Sequence, residues 1–188
     1  DFRISARTVI HRMNYAVWPE IIDTAKKIGL DKISFLPADV SSNAFNREIS
    51  WDAQRQHEIL IPENELPKLE SIVKKICKEY AREIDHDFIV ESAEKLNKIY
   101  LHYAAVYGHT EFPYKKCNAP WVSTVVEADG TVRPCFFHEP YGNLKNGSLD
   151  EIINSENAIR FRKELDMAKN ATCLKCVCYL NLRPSANL

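Results

Sequence analysis

Residues 117–135 read C-N-A-P-W-V-S-T-V-V-E-A-D-G-T-V-R-P-C, and this stretch decides how the C-terminal part of the chain folds. The turn signal A-D-G at 128–130 separates two runs rich in β-branched residues, which predicts a β-hairpin. Cys117 stands just before the first predicted strand, and Cys135 ends the second. Because antiparallel pairing brings the outer ends of a hairpin together, we expect these two thiols to be neighbours despite the 17 residues between them.

The end of the chain supplies a second pair of thiols. Cys173 and Cys176 form a C-x2-C segment, whose tight loop is expected to hold both sulfurs on one side, and Cys178 follows. Four thiolates that converge suit either a zinc ion or an iron–sulfur cluster. The long separation of Cys117 and Cys135 is unusual for a zinc ribbon and favours a cluster, but zinc and unligated structural thiols stay open. Cys178 is either a spare structural thiol or an alternative ligand.

The composition excludes several classes of protein. The chain has 188 residues, 45% of them hydrophobic, and a net charge of −1, which predicts an ordinary folded protein with a buried core. Lys and Arg nowhere gather without Asp and Glu nearby, so neither a nucleic acid nor a membrane is an expected partner. The opening residues D-F-R-I-S-A-R-T lack the apolar core of a signal peptide. Clustered thiols then favour a cytoplasmic protein that binds a metal or does redox chemistry.

Upstream of the cysteines the pattern predicts a strand–helix–strand unit. Residues 7–14 are rich in β-branched and apolar side chains, and residues 32–36 form the second strand. The helix between them is predicted to begin near Pro19 and to end at a left-handed cap on Gly29. Such a unit is typical of a parallel sheet or an α/β barrel. Residues 38–62 are polar and are predicted to form a long irregular loop.

Two helices are then predicted, at 63–84 and 88–107, each with a stripe of apolar residues at helical spacing. Cys77 lies on the first stripe and is interpreted as a core residue, since a cysteine packs as a small hydrophobic side chain. The aromatic residues of the second stripe are also interpreted as core rather than as cofactor contacts: Tyr100, Tyr103 and Tyr107.

Beyond the hairpin, Ser148 is predicted to begin a helix because Glu151 follows three positions later, as in a capping box, and a further helix is predicted over 156–168. His138 is interpreted as an ordinary loop histidine, although it could donate a hydrogen bond to a cluster sulfide. Arg133 could offset the negative charge of a thiolate-bound cluster, or it could be a solvated residue of the hairpin.

The stretch from Cys117 to Cys135 resembles the opening signature of the SPASM and twitch domains of radical SAM enzymes. In those domains a cysteine and a spacer precede a glycine, four further residues and a second cysteine, as Gly130 and T-V-R-P precede Cys135 here. The phrase G-N-L-K-N-G-S-L-D-E-I-I at 142–153, followed by Arg160, is similar to those domains too. The full SPASM form expects a further cysteine at position 182, where Leu182 stands. The resemblance therefore favours the twitch form, with one cluster on four cysteines.

The strand–helix–strand unit resembles the fifth strand, the following helix and the sixth strand of a radical SAM barrel. The C-x3-C-x2-C motif that holds the SAM-cleaving cluster of that family is absent from this chain, and so are four barrel strands. We therefore expect the C-terminal part of a longer enzyme, of α/β plus α+β class. Its expected parts are the end of a partial (β/α)6 barrel at 1–62, a helical connector at 63–108 and a SPASM/twitch domain of β-hairpin plus helices at 109–188.

The resemblance implies a radical SAM oxidoreductase or maturase. In this family SAM is cleaved to a radical that removes a hydrogen atom from a peptide or small-molecule substrate, with electrons from a donor such as flavodoxin or ferredoxin. The resemblance implies an auxiliary 4Fe–4S cluster that takes up an electron or anchors the substrate, with S-adenosyl-L-methionine bound by the full-length enzyme. His11, Arg12 and Asn14 lie near the end of a barrel strand, where such barrels keep their sites, and are expected on the SAM side. The alternative is a zinc-stabilised binding module without a redox role.

Overall fold

The first two strands of the chain run parallel in a computed structural model that describes residues 2–44, 49 and 51–182. Strand β1 (Ser5–Ile10) pairs with β2 (Lys32–Pro37), and helix α1 (Trp18–Lys27) connects them. Gly29 ends the connection with φ +77°, a left-handed conformation that favours glycine. The predicted strand–helix–strand unit is thus present. The chain forms two compact units, of which one holds residues up to Ser41 with Trp51–Pro113 and the other holds Ser42–Ser50 with residues from Tyr114 onward.

Strand β1 is shorter than the predicted strand at 7–14. It ends at Ile10 because the next residues form a turn, in which the backbone N–H groups of Asn14 and Tyr15 both donate to the carbonyl of His11, at 3.1 and 3.0 Å. A single turn of 3-10 helix at Tyr15–Val17 then leads into α1.

The predicted loop at 38–62 contains a helix, so the prediction is wrong there. Helix α2 (Ala53–Ile59) begins after Asp52, whose carboxylate accepts the backbone N–H of Arg55 at 2.7 Å. This cap satisfies one of the N–H groups that a helix start leaves without an intrahelical partner. Residues 45–48 and 50 of the predicted loop lie outside the described residues.

Of the two predicted long helices, the first is divided in the structure and the second is shorter than predicted. The first becomes a 3-10 turn at Glu63–Glu65 followed by α3 (Leu66–Glu79) and α4 (Ala81–Asp85), which meet at Tyr80. The second becomes α5 (Ala93–Val106), capped by the Ser92 side chain. Ile89, predicted to be helical, is extended instead and bridges to Ile33 of β2.

The core of the first unit lies between the strands and the helices α1, α3 and α5. Its fully buried side chains include Trp18, Ile22, Leu69, Ile76 and Leu96. Tyr103 is also fully buried, and its hydroxyl donates to the Ile10 carbonyl and accepts the Ala38 N–H at 3.0 Å. Cys77, Tyr100 and Tyr107 pack against this core, as predicted. None of the helices within the described ranges is both long and apolar enough to cross a membrane.

The second unit is built on an antiparallel sheet in the order β3 (Val125–Val126), β4 (Thr131–Arg133), β5 (Gly142–Asn143). The hairpin of β3 and β4 confirms the predicted turn, in which Gly130 has φ +89°. Residues predicted to extend the first strand form the short helix α6 (Ala119–Val122) instead. The sheet packs with α7 (Leu149–Ile153), whose predicted capping box between Ser148 and Glu151 is present.

Two further helices complete this unit. Helix α8 (Glu156–Glu164) is shorter than the predicted helix at 156–168, and α9 (Ala171–Lys175) follows it. The buried apolar side chains of the unit include Val132, Ile152, Ala158 and Val177, one each from β4, α7, α8 and the segment after α9.

Candidate metal centre

One cavity of the second unit is lined by five of the six cysteines of the chain, and we call it the cysteine cavity. The five are Cys117, Cys135, Cys173, Cys176 and Cys178. The other lining side chains are mostly apolar and include Ala119, Pro120, Leu165 and Met167. All four predicted ligands and the alternative ligand therefore share one cavity. Cys77 lies in the first unit, with its Sγ 3.8 Å from the Ala93 carbonyl.

The hairpin positions Cys135. Strand β4 ends at Arg133, and Thr124 Oγ1 donates to the Arg133 carbonyl at 2.8 Å, which ties the chain just before Cys135 to the start of the hairpin. Cys117 was predicted to stand just before the first strand. In the structure α6 lies between Cys117 and β3. Both thiols nevertheless reach the cysteine cavity.

Helix α9 positions the C-x2-C pair. The side chain of Asn170 caps this helix by accepting the Cys173 N–H at 3.0 Å, and the Cys176 N–H donates to the Cys173 carbonyl at 3.3 Å. Cys173 thus lies inside a single helical turn and Cys176 ends it, where the sequence predicted a tight loop. The outcome is the expected one, since both sulfurs face the same cavity.

A buried lysine lines the cysteine cavity together with the cysteines. Lys115 is 9% exposed and lines the cysteine cavity, and its Nζ donates to the Leu174 carbonyl at 2.9 Å. Leu174 belongs to the C-x2-C segment, so this bond ties the chain before Cys117 to the second pair of ligands. The ammonium group also brings a positive charge to the cavity. The sequence pattern did not predict a role for Lys115.

Asn118, the residue after Cys117, holds the segment at 180–182 by hydrogen bonds. The backbone N–H of Asn118 donates to the Leu180 carbonyl at 2.7 Å, and its side-chain Nδ2 donates to the Leu182 carbonyl at 2.6 Å. Its Oδ1 accepts the Leu182 N–H at 3.0 Å. These three bonds fix the segment that carries Cys178 against the segment that carries the first predicted ligand.

The cavity disfavours the charged form of its thiols. Burial raises the pKa of Cys135, that of Cys173 to about 11 and that of Cys176 to about 12. The positive charge of Lys115 opposes this rise in the pKa of Cys173 and Cys176. Because the thiolate is the form that binds a metal, these cysteines lose their protons when a positively charged partner replaces them.

Hydrogen-bond donors surround the sulfurs. The backbone N–H groups of Phe137 and His138 donate to Cys135, and that of Cys178 donates to Cys176. The imidazole Nε2 of His138 lies 3.3 Å from the Sγ of Cys173. N–H groups directed at cysteine sulfurs are one of the features by which proteins set the potential of iron–sulfur clusters.

His138 is part of the site, so its interpretation as an ordinary loop histidine is wrong. Its ring packs edge-on against Phe161, with 5.0 Å between the ring centroids, and its carbonyl accepts Arg133 Nη1 at 3.1 Å. Burial lowers the pKa of His138, which favours the neutral imidazole. A neutral ring has one N–H, and a sulfur acceptor at Nε2 favours the tautomer with the proton on that nitrogen.

Arg133 acts on the cavity through His138. Its Nε lies 3.1 Å from Glu127 Oε1, an ion pair in which the N–H direction misses hydrogen-bond geometry. Arg133 does not line the cysteine cavity in the described part of the chain, where the lining cation is Lys115. Of the two readings of Arg133, the structure therefore fits a hairpin residue that supports the loop after Cys135.

The two kinds of metal site differ in the spacing of the sulfurs that they need. Over the described ranges, no three His, Cys, Asp or Glu side chains stand close enough together to hold one metal ion. A tetrahedral zinc with bonds of about 2.3 Å needs its sulfurs about 3.8 Å apart. In an iron–sulfur cluster each thiolate can bind a different iron, so the sulfurs stand further apart around the cluster.

The three residues expected on the SAM side lie together in the turn after β1. Asn14 Oδ1 accepts the His11 N–H at 2.9 Å, and Asn14 Nδ2 donates to the Val9 carbonyl at 2.9 Å. Arg12 is exposed, and its Nη1 donates to the His57 carbonyl at 3.2 Å. The turn is thus at the carboxyl end of the strand, as expected, and the Asn14 side chain stabilises the turn itself.

Comparison with known families agrees with this site. Residues 117–177 match the SPASM family, described as an iron-sulfur cluster-binding domain. The match begins at Cys117 and includes Cys135, Cys173 and Cys176, whereas Cys178 lies just beyond it. It indicates that this part of the chain binds an iron–sulfur cluster. No curated protein and no solved structure matches the chain.

Proposed function

We propose that this chain holds one auxiliary 4Fe–4S cluster of a radical SAM enzyme, bound by Cys117, Cys135, Cys173 and Cys176. The observation that carries the proposal is that these four cysteines line one cavity inside a segment that matches the SPASM iron–sulfur domain. The N–H groups around the sulfurs also support a cluster, since such donors are a usual feature of iron–sulfur sites.

The residues of the cavity have three tasks in this proposal. The apolar side chains limit contact between the sulfurs and water. Lys115 offsets part of the negative charge that four thiolates bring, and His138 donates to one of the sulfurs. When bound, the cluster would supply a group that accepts one electron from a substrate radical.

The first unit would contribute the SAM side of the same enzyme. We propose that β1, α1 and β2 are the end of a partial (β/α)6 barrel, and that His11, Arg12 and Asn14 face SAM from the carboxyl end of β1. In parallel α/β sheets and barrels ligands bind at this edge, which supports the assignment. A binding titration of SAM against the chain, repeated with Arg12→Met, tests it. We expect weaker binding in the variant, and equal binding would contradict the assignment.

The proposed partners follow from the same reaction. The substrate is a peptide or a small molecule, and an electron donor of the flavodoxin or ferredoxin class supplies the reducing electrons. The reaction class is that of an oxidoreductase or a maturase.

Anaerobic reconstitution tests the proposed function. The full chain is incubated with iron, sulfide and zinc together, desalted, and assayed for both metals and for acid-labile sulfide. We expect iron and sulfide in equal amounts, with absorbance near about 400 nm, and loss of both in Cys135→Ala. Cys77→Ala is the matched control, because that thiol packs against the core of the first unit. Uptake of zinc without sulfide would contradict the proposal and support the zinc-stabilised module.

A further inference from the structure

The cysteine cavity contains one more thiol than a cluster needs. A 4Fe–4S cluster is held by four cysteine ligands, and five cysteines line the cavity. Cys178 is the one that lies outside the segment matched to the SPASM domain. A cluster with four cysteine ligands therefore leaves the place of Cys178 in the cavity unexplained.

The backbone after α9 brings Cys176 and Cys178 to the same side. Cys176 ends α9 with φ −57° and ψ 134°, so the chain leaves the helix at this residue. Val177 is 6% exposed and packs in the interior of the unit, whereas Cys176 and Cys178 on either side of it both line the cavity.

Cys178 is also close to another ligand. The neighbouring Cys178 thiol contributes to the raised pKa of Cys135 as well as to that of Cys176, after the larger effect of burial on each. Beyond it, the bonds from Asn118 to Leu180 and Leu182 hold the segment beside Cys117. Cys178 is therefore held in place next to the proposed ligands.

We infer that Cys178 is an interchangeable ligand, so that the cluster is held by Cys117, Cys135, Cys173 and either Cys176 or Cys178. This inference rests on the proposed function. The exchange is balanced in charge and in electrons, because the incoming thiol gives up one proton as its sulfur binds iron and the outgoing thiolate takes up one proton. The exchange replaces the sulfur of one residue by the sulfur of the residue two positions away in the chain.

Cysteine-to-alanine variants of the full chain test the inference. The variants are Cys176→Ala, Cys178→Ala, the double variant and Cys173→Ala, each reconstituted anaerobically with iron and sulfide beside the unaltered chain. The readout is iron and acid-labile sulfide per chain, with circular dichroism to verify that each variant is folded. We expect both single variants at 176 and 178 to retain most of the cluster and the double variant to lose it.

The remaining variant tests the specificity of the exchange. Cys173 lies within the helical turn of α9, whereas Cys176 and Cys178 lie two residues apart where the chain leaves that turn. We therefore expect Cys173→Ala to lose the cluster although Cys176 and Cys178 are both intact.

Two outcomes would overturn the account and can be told apart. If Cys176→Ala loses as much sulfide as the double variant, Cys178 is not a ligand and the inference fails while the proposed function stands. If the unaltered chain takes up no iron and sulfide, the proposed function fails, and the inference that rests on it fails too.

Discussion

The Nε2 atom of His138 lies 3.3 Å from the Sγ atom of Cys173, although 35 positions separate the two residues in the chain. The backbone N–H of the same histidine donates to Cys135. One residue thus contacts a proposed ligand near the hairpin with its backbone and a proposed ligand of the C-x2-C pair with its ring. Phe161 holds the ring from the side.

This contact predicts an effect of His138 on the reduction potential. An N–H group that donates to a cysteine sulfur stabilises the reduced cluster, which carries more negative charge. We expect His138→Phe, which keeps an aromatic ring beside Phe161, to lower the potential, and His138→Gln, which keeps a donor, to lower it less. Titration followed by electron paramagnetic resonance measures both. Equal potentials in all three proteins would show that the ring does not donate to the sulfur.

The buried lysine predicts an effect on cluster retention. Lys115→Met removes the bond to the Leu174 carbonyl and a positive charge beside the thiols, so we expect cluster loss to a chelator to become about tenfold faster. The matched control is Lys116→Met, because Lys116 is exposed and adjacent in the chain. The rate is measured from the decay of the visible absorbance. A Lys115 variant that loses its cluster no faster than the Lys116 variant would contradict this role.

The first unit offers a test of its buried hydrogen bonds. Tyr103→Phe removes the hydroxyl that joins the Ile10 carbonyl to the Ala38 N–H and leaves two buried backbone groups without that partner. We expect it to lower the free energy of unfolding by about 1–3 kcal/mol, as is usual for an unsatisfied buried group. Tyr100→Phe, at a partly buried position, should cost less. Denaturant unfolding of both variants provides the comparison, and similar losses would argue against a special role for Tyr103.

Glu91 predicts a pH dependence of stability. Burial raises the pKa of Glu91 above the ordinary value of 4.5, although Phe35 N–H donates to its carboxylate at 2.9 Å. The folded state therefore binds this proton more tightly than the unfolded state does. Its contribution to stability is fully present below pH 4.5 and is lost as the pH rises through the folded pKa.

Glu91→Gln keeps an oxygen acceptor and has no charge to bury. We expect this variant to unfold at a higher denaturant concentration than the unaltered chain at pH 7, and the difference to shrink below pH 4.5. Glu94→Gln is the control, since Lys98 lowers the pKa of the exposed Glu94 and the sign should not be the same. A Glu91→Gln variant that is less stable at pH 7 would contradict this interpretation.

Local signals made part of the fold predictable. Gly29 and Gly130 both adopt the left-handed conformation that their turns require, and Ser148 and Glu151 form the expected capping box. Helix α2 was missed because periodicity had nothing to detect, since none of its residues is buried. Only the Asp52 cap indicated it.

The cysteine pattern predicted which thiols share the cavity but not the other residues around them. Lys115 and Lys116 are adjacent lysines, but only Lys115 is buried. The carbonyl to which Lys115 donates belongs to Leu174, 59 positions away in the chain. His138 likewise acquires its contact from a distant helix. Such contacts depend on tertiary packing, which a single sequence does not display.

The Mössbauer spectrum of the full chain, reconstituted anaerobically with isotopically enriched iron, identifies the kind of iron bound. It is therefore the sharpest test of the proposed 4Fe–4S cluster. The account predicts that the bound iron gives the signal of a 4Fe–4S cluster at one cluster per chain, and that Cys135→Ala abolishes the signal. Iron that gives the signal of an isolated ion, or a folded chain that binds only zinc, would contradict it.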